Sequence, residues 1–231
     1  MFFLIFIFGL LFGSLANVIL LRFNTGESLV YGGSRCFSCM RKLMWYELVP
    51  LFSFLFLRAR CRTCKSKISW QYPLVELGTG LLFLLIVWKL GFGNWKLFGN
   101  WDLEIGNSAI TIAAWYFLWL SALYDFRHKI LPDFFNYSAF ALAVLGWAGD
   151  LFISSCRSIP VDCSLLTVPW AKELLSSLAV AATLFLFFFA LWYFSGGRWM
   201  GLGDAKFVLA FGFLMSPAAA LVAVTLAFWV G

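Results

Sequence analysis

The 231-residue chain predicts an all-α polytopic membrane protein, with about six transmembrane helices and a small zinc-binding cytoplasmic domain between the first two. Three observations carry that expectation. Hydrophobic residues make up 63% of the chain, aromatic residues 20% and charged residues only 12%, and mean hydropathy is +0.90. This composition excludes a soluble globular domain. Apolar runs recur at roughly the 17–25 residues that cross a bilayer as a helix. Four cysteines form two CxxC pairs in the only sizeable polar stretch.

Six runs qualify as spans: Phe2–Leu21, Leu74–Leu90, Ser108–Tyr124, Phe134–Ile153, Leu174–Phe194 and Phe207–Val230. The first lacks a basic leading region, and no small-x-small cleavage site precedes Arg22. It is expected to be an uncleaved span rather than a signal peptide. The chain then divides into a first helix (1–21), a polar four-cysteine domain (22–73) and a membrane-embedded core (74–231).

The net charge of +6 is no signature of nucleic-acid binding, because its distribution explains it. Arg22, Arg35, Arg41, Lys42, Arg58, Arg60, Arg62, Lys65 and Lys67 lie between the first two spans. Arg127 and Lys129 follow the third span, and Arg198 and Lys206 the fifth. The alternate loops hold Lys89, Lys96, Arg157 and Lys172. Basic residues concentrate on the cytoplasmic side of membrane proteins, so the N-terminus is expected outside. Asp125 and Asp204 then both fall at the cytoplasmic boundary, where a shared site is geometrically allowed.

Within the polar domain, Leu48–Leu57 is apolar but too short to span. Two readings stand side by side: the domain's own core, or a segment lying on the membrane surface. Outside stretches are expected at Trp95–Asn107, with Asp102 and Glu104, and at Ser154–Trp170, with Cys156 and Cys163. Those two cysteines form a disulfide or stay as free thiols; both outcomes are open. Trp88, Trp115, Trp192 and Tyr193 fit an interfacial aromatic belt. No internal repeat is evident.

Cys36-Phe37-Ser38-Cys39 and Cys61-Arg62-Thr63-Cys64 have the spacing of two knuckles that supply four thiolates to one tetrahedral zinc. A reducing compartment disfavours disulfides there, and Arg35, Arg60, Arg62 and Lys65 favour thiolate over thiol. A redox dithiol pair is the rival. Four sulfur ligands leave no open position, so the metal is structural and holds together a domain too small to build an adequate core.

Carboxylates beside apolar runs are functional candidates, because a charge in or near the bilayer is costly. Asp133, after Pro132, suits a helix N-cap. Asp150 falls near the outer end of its span, at headgroup level. Asp125 ends a helix, where negative charge is disfavoured, and Asp204 follows Gly201-Leu202-Gly203, with an N-cap as its bland alternative. Two such acids brought together share one proton, giving one general base and one general acid. His128 is the only histidine, which argues against a Ser-His-Asp triad or a histidine-ligated catalytic metal.

Taken in order, these motifs resemble the type IV prepilin peptidases, membrane aspartyl proteases with a GxGD signature. Gly13-Ser14-Leu15-Ala16-Asn17-Val18 is similar to the family's first-span motif, and the four cysteines to its zinc-binding loop. Trp45-Tyr46-Glu47-Leu48-Val49-Pro50 and Tyr72-Pro73-Leu74-Val75-Glu76 stand where the family has related segments. Asp125–Asp133 resembles the segment with the first catalytic acid. Gly201-Leu202-Gly203-Asp204-Ala205-Lys206 resembles that with the second.

The resemblance implies Asp125 and Asp204 as the catalytic pair, supported by Gly201, Gly203 and Lys206, and structural zinc on Cys36, Cys39, Cys61 and Cys64. It also implies cleavage of prepilin or pseudopilin leader peptides at the cytoplasmic face of the cell membrane. Methylation of the new N-terminus with S-adenosylmethionine follows in many members. Two departures stand out. Ala59 replaces a family glycine in the loop linked to methylation, and relatives generally continue for one or two further spans. A proton-coupled transporter and a catalytically inert assembly protein are the alternatives.

Overall fold

The computed structural model describes residues 2–29, 31–89, 101–158 and 169–230. It divides into two compact units, residues 1–95 and 96–231. Among the described residues, regular structure is helical apart from two isolated bridges. Among those residues, five helices are long and apolar enough to cross a membrane.

In the first unit, α1 (Phe2–Arg22) packs antiparallel to α3 (Gln71–Lys89). Small residues set the approach. A Cβ added at Gly9 would lie 2.8 Å from the Gly80 Cα, and one at Gly13 would lie 2.5 Å from the Glu76 Cα. Between apolar helices in lipid, contact comes from dispersion and close backbone approach, and the Gly9-x-x-x-Gly13 spacing supplies that approach. One turn further, the Asn17 side-chain amide donates to the Tyr72 carbonyl at 3.2 Å, completing the register 9/80, 13/76, 17/72.

Between these helices the chain builds two matching knuckles. Arg35 bridges Lys42, and Arg60 bridges Lys67. Inside each, the first cysteine's carbonyl accepts from a residue just past the second: Met40 N–H to Cys36 at 2.8 Å, and Lys65 N–H to Cys61 at 3.1 Å. Met40 and Lys65 both adopt left-handed φ, 57° and 59°. The expectation of no internal repeat is thus corrected at short range. Arg35–Lys42 and Arg60–Lys67 share the pattern R-C-x-x-C-x-x-K.

An ion pair on the buried Glu47 braces the first knuckle. Arg41 Nη2 lies 2.6 Å from Glu47 Oε1, and Glu47 Oε2 accepts the Met44 N–H at 2.9 Å. Burial opposes charge on Glu47, but Met44 and Arg41 outweigh it and hold the carboxyl below its usual range. After the 3-10 turn Trp45–Leu48 comes α2 (Phe52–Phe56). Phe54 packs on Trp70 at 5.0 Å between ring centroids, while Phe52, Leu55 and Phe56 remain exposed. The apolar stretch therefore contributes one ring to its own core and leaves a second face uncovered.

In the second unit, α4 (Trp101–His128) and α5 (Asp133–Ser158) form an antiparallel hairpin. The helical start at Trp101 replaces the loop expected over Trp95–Asn107 at its C-terminal half. Polar rungs fix its register. Ser121 Oγ and Asn136 Oδ1 lie 2.6 Å apart with both residues buried, and Asn107 donates to Asp150 near the far end. Asp150 is thus tied to the neighbouring helix as well as exposed. The pairing of Cys156 with Cys163 falls on side chains outside those described.

α6 (Pro169–Ser195) ends at Gly196-Gly197, where Gly197 has φ 76° and donates to the Trp192 carbonyl at 3.0 Å. That left-handed stop turns the chain back through α7 (Leu202–Phe207), a 3-10 turn at Val208–Ala210 and α8 (Phe211–Leu214). The expected single span Phe207–Val230 is therefore not one helix. Met215 is extended (φ −130°, ψ 153°) and ends α8 two residues before Pro217. α9 (Pro217–Val230) has 14 residues, about 21 Å of helix. Ala205, Val208 and Ala220 bury against Leu184 and Phe188 of α6, while Ala210 buries against Ala114, Leu118, Ala139 and Ala143 of the α4–α5 pair.

Ala59 adopts φ 56°, beside Arg58 at 50°. A left-handed residue with a Cβ costs about 1–2 kcal/mol, partly offset by the smaller backbone entropy that alanine loses on folding. Ala59→Gly is expected to stabilise the second knuckle by up to about 1 kcal/mol, seen as slower amide hydrogen exchange across residues 54–68.

Candidate active site and metal centre

The four cysteine Sγ atoms lie within 4.8 Å of one another, and Cys36 Sγ is 3.8 Å from Cys64 Sγ. Four sulfurs at about 2.3 Å from a tetrahedral centre are about 3.8 Å apart, so the cage fits a zinc-sized ion. Its electrostatics point the same way. The N–H groups of Cys39 and Ser38 hold the Cys36 thiol down at about 6, with help from the Ser66 hydroxyl. At Cys39 the Arg41 N–H favours the thiolate, yet burial and hydrogen bonding with Cys36, Cys64 and Cys61 push it up to about 11. A lone thiolate is welcome here; four together need a cation.

The two candidate acids belong to the second unit. Asp125 stands in the last turn of α4, half-buried, and its carbonyl accepts the Lys129 N–H at 2.7 Å. Lys129 has φ 57° and ends the helix. His128 stacks on Tyr124 at 4.4 Å between ring centroids.

Asp204 is the third residue of α7, and Gly201 is its N-cap. The expected alternative for Asp204, an N-cap, is thereby corrected. An acid at the third position reaches back to the cap, as in a capping box, because it can accept the free N–H there. Burial pushes the Asp204 carboxyl above the usual carboxylate range, and the charge of Asp125 pushes it further. Hydrogen bonds from the backbone at Gly201 and at Asp204 itself pull the other way. The two acids are thus close enough to repel.

Three contacts hold α7 against the α4–α5 connection and the first turns of α5. A Cβ at Gly203 would lie 2.8 Å from the Leu131 Cβ, so only glycine allows this approach without displacing backbone. Lys206 Nζ reaches Asp133 Oδ1 at 2.7 Å and sits 5.4 Å from the Tyr137 ring centroid. Asp133, expected as an N-cap, is instead the first residue of α5, with its acid well placed at the positive end of the helix. Gly201 differs from Gly203. Its φ is −79°, and a Cβ there would meet Asp204 Oδ2 at an ordinary 3.8 Å.

Leu131, Ser121, Asn136 and Tyr137 complete the surroundings and were not singled out by sequence. For Asn136 there was a signal, since a polar amide inside an apolar run needs a reason. Leu131 carries none; only the fold places Gly203 on it.

Comparison with known proteins decides the family. The Type IV leader peptidase family model matches residues 112–231, and the Bacterial Peptidase A24 N-terminal domain model matches residues 7–90. The chain belongs to the type IV leader peptidase family. A prepilin leader peptidase/N-methyltransferase of Klebsiella pneumoniae is 31% identical over 90% of this chain and 82% of the relative. One of Myxococcus xanthus is 41% identical over 55% of this chain but 35% of the relative. One of Xanthomonas campestris is 33% identical over 74% of this chain and 50% of the relative. The chain therefore spans half or less of two of these three relatives. No solved structure matches.

Replacing each glycine separates positioning from access. Gly203→Ala is expected to cost about 1–3 kcal/mol through overpacking on Leu131, while Gly201→Ala leaves thermal stability within about 0.5 kcal/mol. Thermal unfolding of both variants in detergent tests the difference.

Proposed function

We propose that this family member is a membrane aspartyl endopeptidase that removes leader peptides from type IV prepilins or pseudopilins, with Asp125 and Asp204 as its catalytic pair. The observation that carries the proposal is the mutual repulsion of two half-buried acids held at one end of the bundle. Burial and the nearby Asp125 raise Asp204, which makes it the proton donor and leaves Asp125 the role of base. Asp125 then takes a proton from water as the water attacks the scissile carbonyl. Asp204 donates to the carbonyl oxygen as charge develops there and takes that proton back as the C–N bond breaks, while the proton gained by Asp125 passes to the leaving amine. Gly201, Gly203 and Lys206 serve as supports, leaving the carboxylate open and locking α7 in place.

The basic loops favour an N-terminus outside and both acids at the cytoplasmic boundary of the cell membrane. A substrate's apolar helix lying in lipid would present its leader junction at that depth. Cys36, Cys39, Cys61 and Cys64 would hold a structural zinc, whose chemistry is to cross-link the two knuckles. The names of the relatives also motivate N-methylation of the new N-terminus, with S-adenosylmethionine as methyl donor.

Asp125→Asn and Asp204→Asn should each lower cleavage of a co-expressed prepilin by about 10²–10⁴-fold while membrane insertion persists. Retained cleavage by either variant removes that acid from the proposal. In the wild type, raising pH through the elevated Asp204 pKa strips the shared proton, so the rate should fall on the alkaline side. Mass spectrometry of a prepilin incubated with reconstituted enzyme and S-adenosylmethionine reads the cut and any added methyl together.

For the metal, elemental analysis of purified protein should give about one zinc per chain. Chelation should unfold the knuckle region, since binding energy and folding energy coincide in such small sites. Zinc-free protein with its four thiols paired as disulfides would overturn the assignment.

A further inference from the structure

The uncovered face of α2 has no role in the proposed peptidase site. Phe52, Leu55 and Phe56 are 58%, 69% and 85% exposed, and their spacing of three and four residues puts them on one side of the helix. Phe54 faces the other way, onto Trp70. The segment is therefore two-sided, with a core side and an apolar side left uncovered among the described residues of the first unit.

Its depth follows from one hydrogen bond. The Leu51 N–H, immediately before α2, donates to Glu76 Oε2 at 2.8 Å. Glu76 lies five residues into the candidate span Gln71–Lys89, about 7.5 Å along the helix axis. Leu51 holds φ 59°, an unfavourable conformation for leucine, and this contact helps to pin it there. The start of α2 is thus fixed beside the first turns of α3 rather than out among the knuckles. Interfacial helices bury their apolar faces about 5–10 Å into the boundary between headgroups and acyl chains, which is this depth.

Exposed apolar side chains also line the candidate span α3 and the residue before it. Trp70 and Leu74 at the start of α3 are 68% and 62% exposed, and Leu77, Leu81 and Leu85 extend the apolar stripe along the same helix. Charge completes the match. From Leu48 to Gln71 there is no acidic residue, while Arg58, Arg60, Arg62, Lys65 and Lys67 follow α2 directly. A basic cluster beside an apolar helix face fits anionic headgroups above acyl chains.

We propose that α2 is a membrane-inserted anchor: Phe52, Leu55 and Phe56 enter the leaflet, and the basic residues after them seat the cysteine knuckles on anionic phospholipid. The occupant is lipid, and neither a second copy of this chain nor a peptide is required. The anchor holds the knuckle module down at the membrane independently of the acids in the other unit.

Photo-crosslinking in the full chain tests it without using activity. A benzophenone amino acid is placed at Leu55 or Phe56, with Ser38 on the first knuckle as the control position. Each protein is reconstituted in nanodiscs of phosphatidylcholine with a stepped share of phosphatidylglycerol, illuminated and examined by mass spectrometry. Lipid adducts at positions 55 and 56 should exceed those at 38 several-fold and rise with the anionic share. Adducts no higher than at 38, no response to phosphatidylglycerol, or crosslinks mainly to a second copy of the chain would each overturn the anchor. The substituted side chains are exposed, so folding is not at stake; retained thermal unfolding of each variant checks that.

Discussion

The close approach of Gly203 to Leu131 is the constraint on which the arrangement of the acids depends. α7 is only six residues long and holds no position by itself. It is placed by what it touches: Leu131 at Gly203, Asp133 and Tyr137 at Lys206, and the buried face of α6 at Ala205. Each contact comes from the same short motif that carries Asp204. The carboxylate is therefore positioned by its immediate neighbours in sequence acting on a distant loop, and that loop begins just past Asp125. Motif and geometry are one device.

The first unit solves a similar problem with the same means. In lipid there is no hydrophobic drive between helices, so α1 and α3 need small residues to meet, and Gly9, Gly13 and Gly80 provide them. Close contact then brings polar groups into reach. Asn17 bonds the Tyr72 carbonyl, and Glu76 takes the Leu51 N–H. Glu47 performs the equivalent service in the polar module, joining Arg41 to the Met44 N–H. Three polar side chains in motifs far apart along the chain thus share one physical task, which is to satisfy backbone groups where packing has excluded water.

Burial also changes what the acids can do. Asp133 and Asp204 both lie in a first helical turn, where a negative charge is favoured. Asp133 is exposed and neutralised by Lys206, which makes it a strut. Asp204 is half-buried, faces the charge of Asp125 and so favours its protonated form. Identical side chains acquire different chemistry from solvent access and the sign of the nearest charge.

Much of this was written in the local sequence. Composition alone determines a helical membrane protein, because unpaired backbone groups have no partner in hydrocarbon and apolar runs of span length must coil. Cysteine spacing determines the knuckles, whose turns are local, and the order of the acid motifs determines the family. Tertiary structure decided the rest. It broke the run Phe207–Val230 before Pro217, extended α4 back to Trp101 and moved Asp204 from the cap to the third position of its helix. It also set the glycines apart: Gly203 is required by Leu131, whereas Gly201 meets nothing closer than Asp204. Periodicity reports which residues avoid water, but whether a neighbour from 72 positions away leaves room for a Cβ is a property of packing, and only the folded chain contains it.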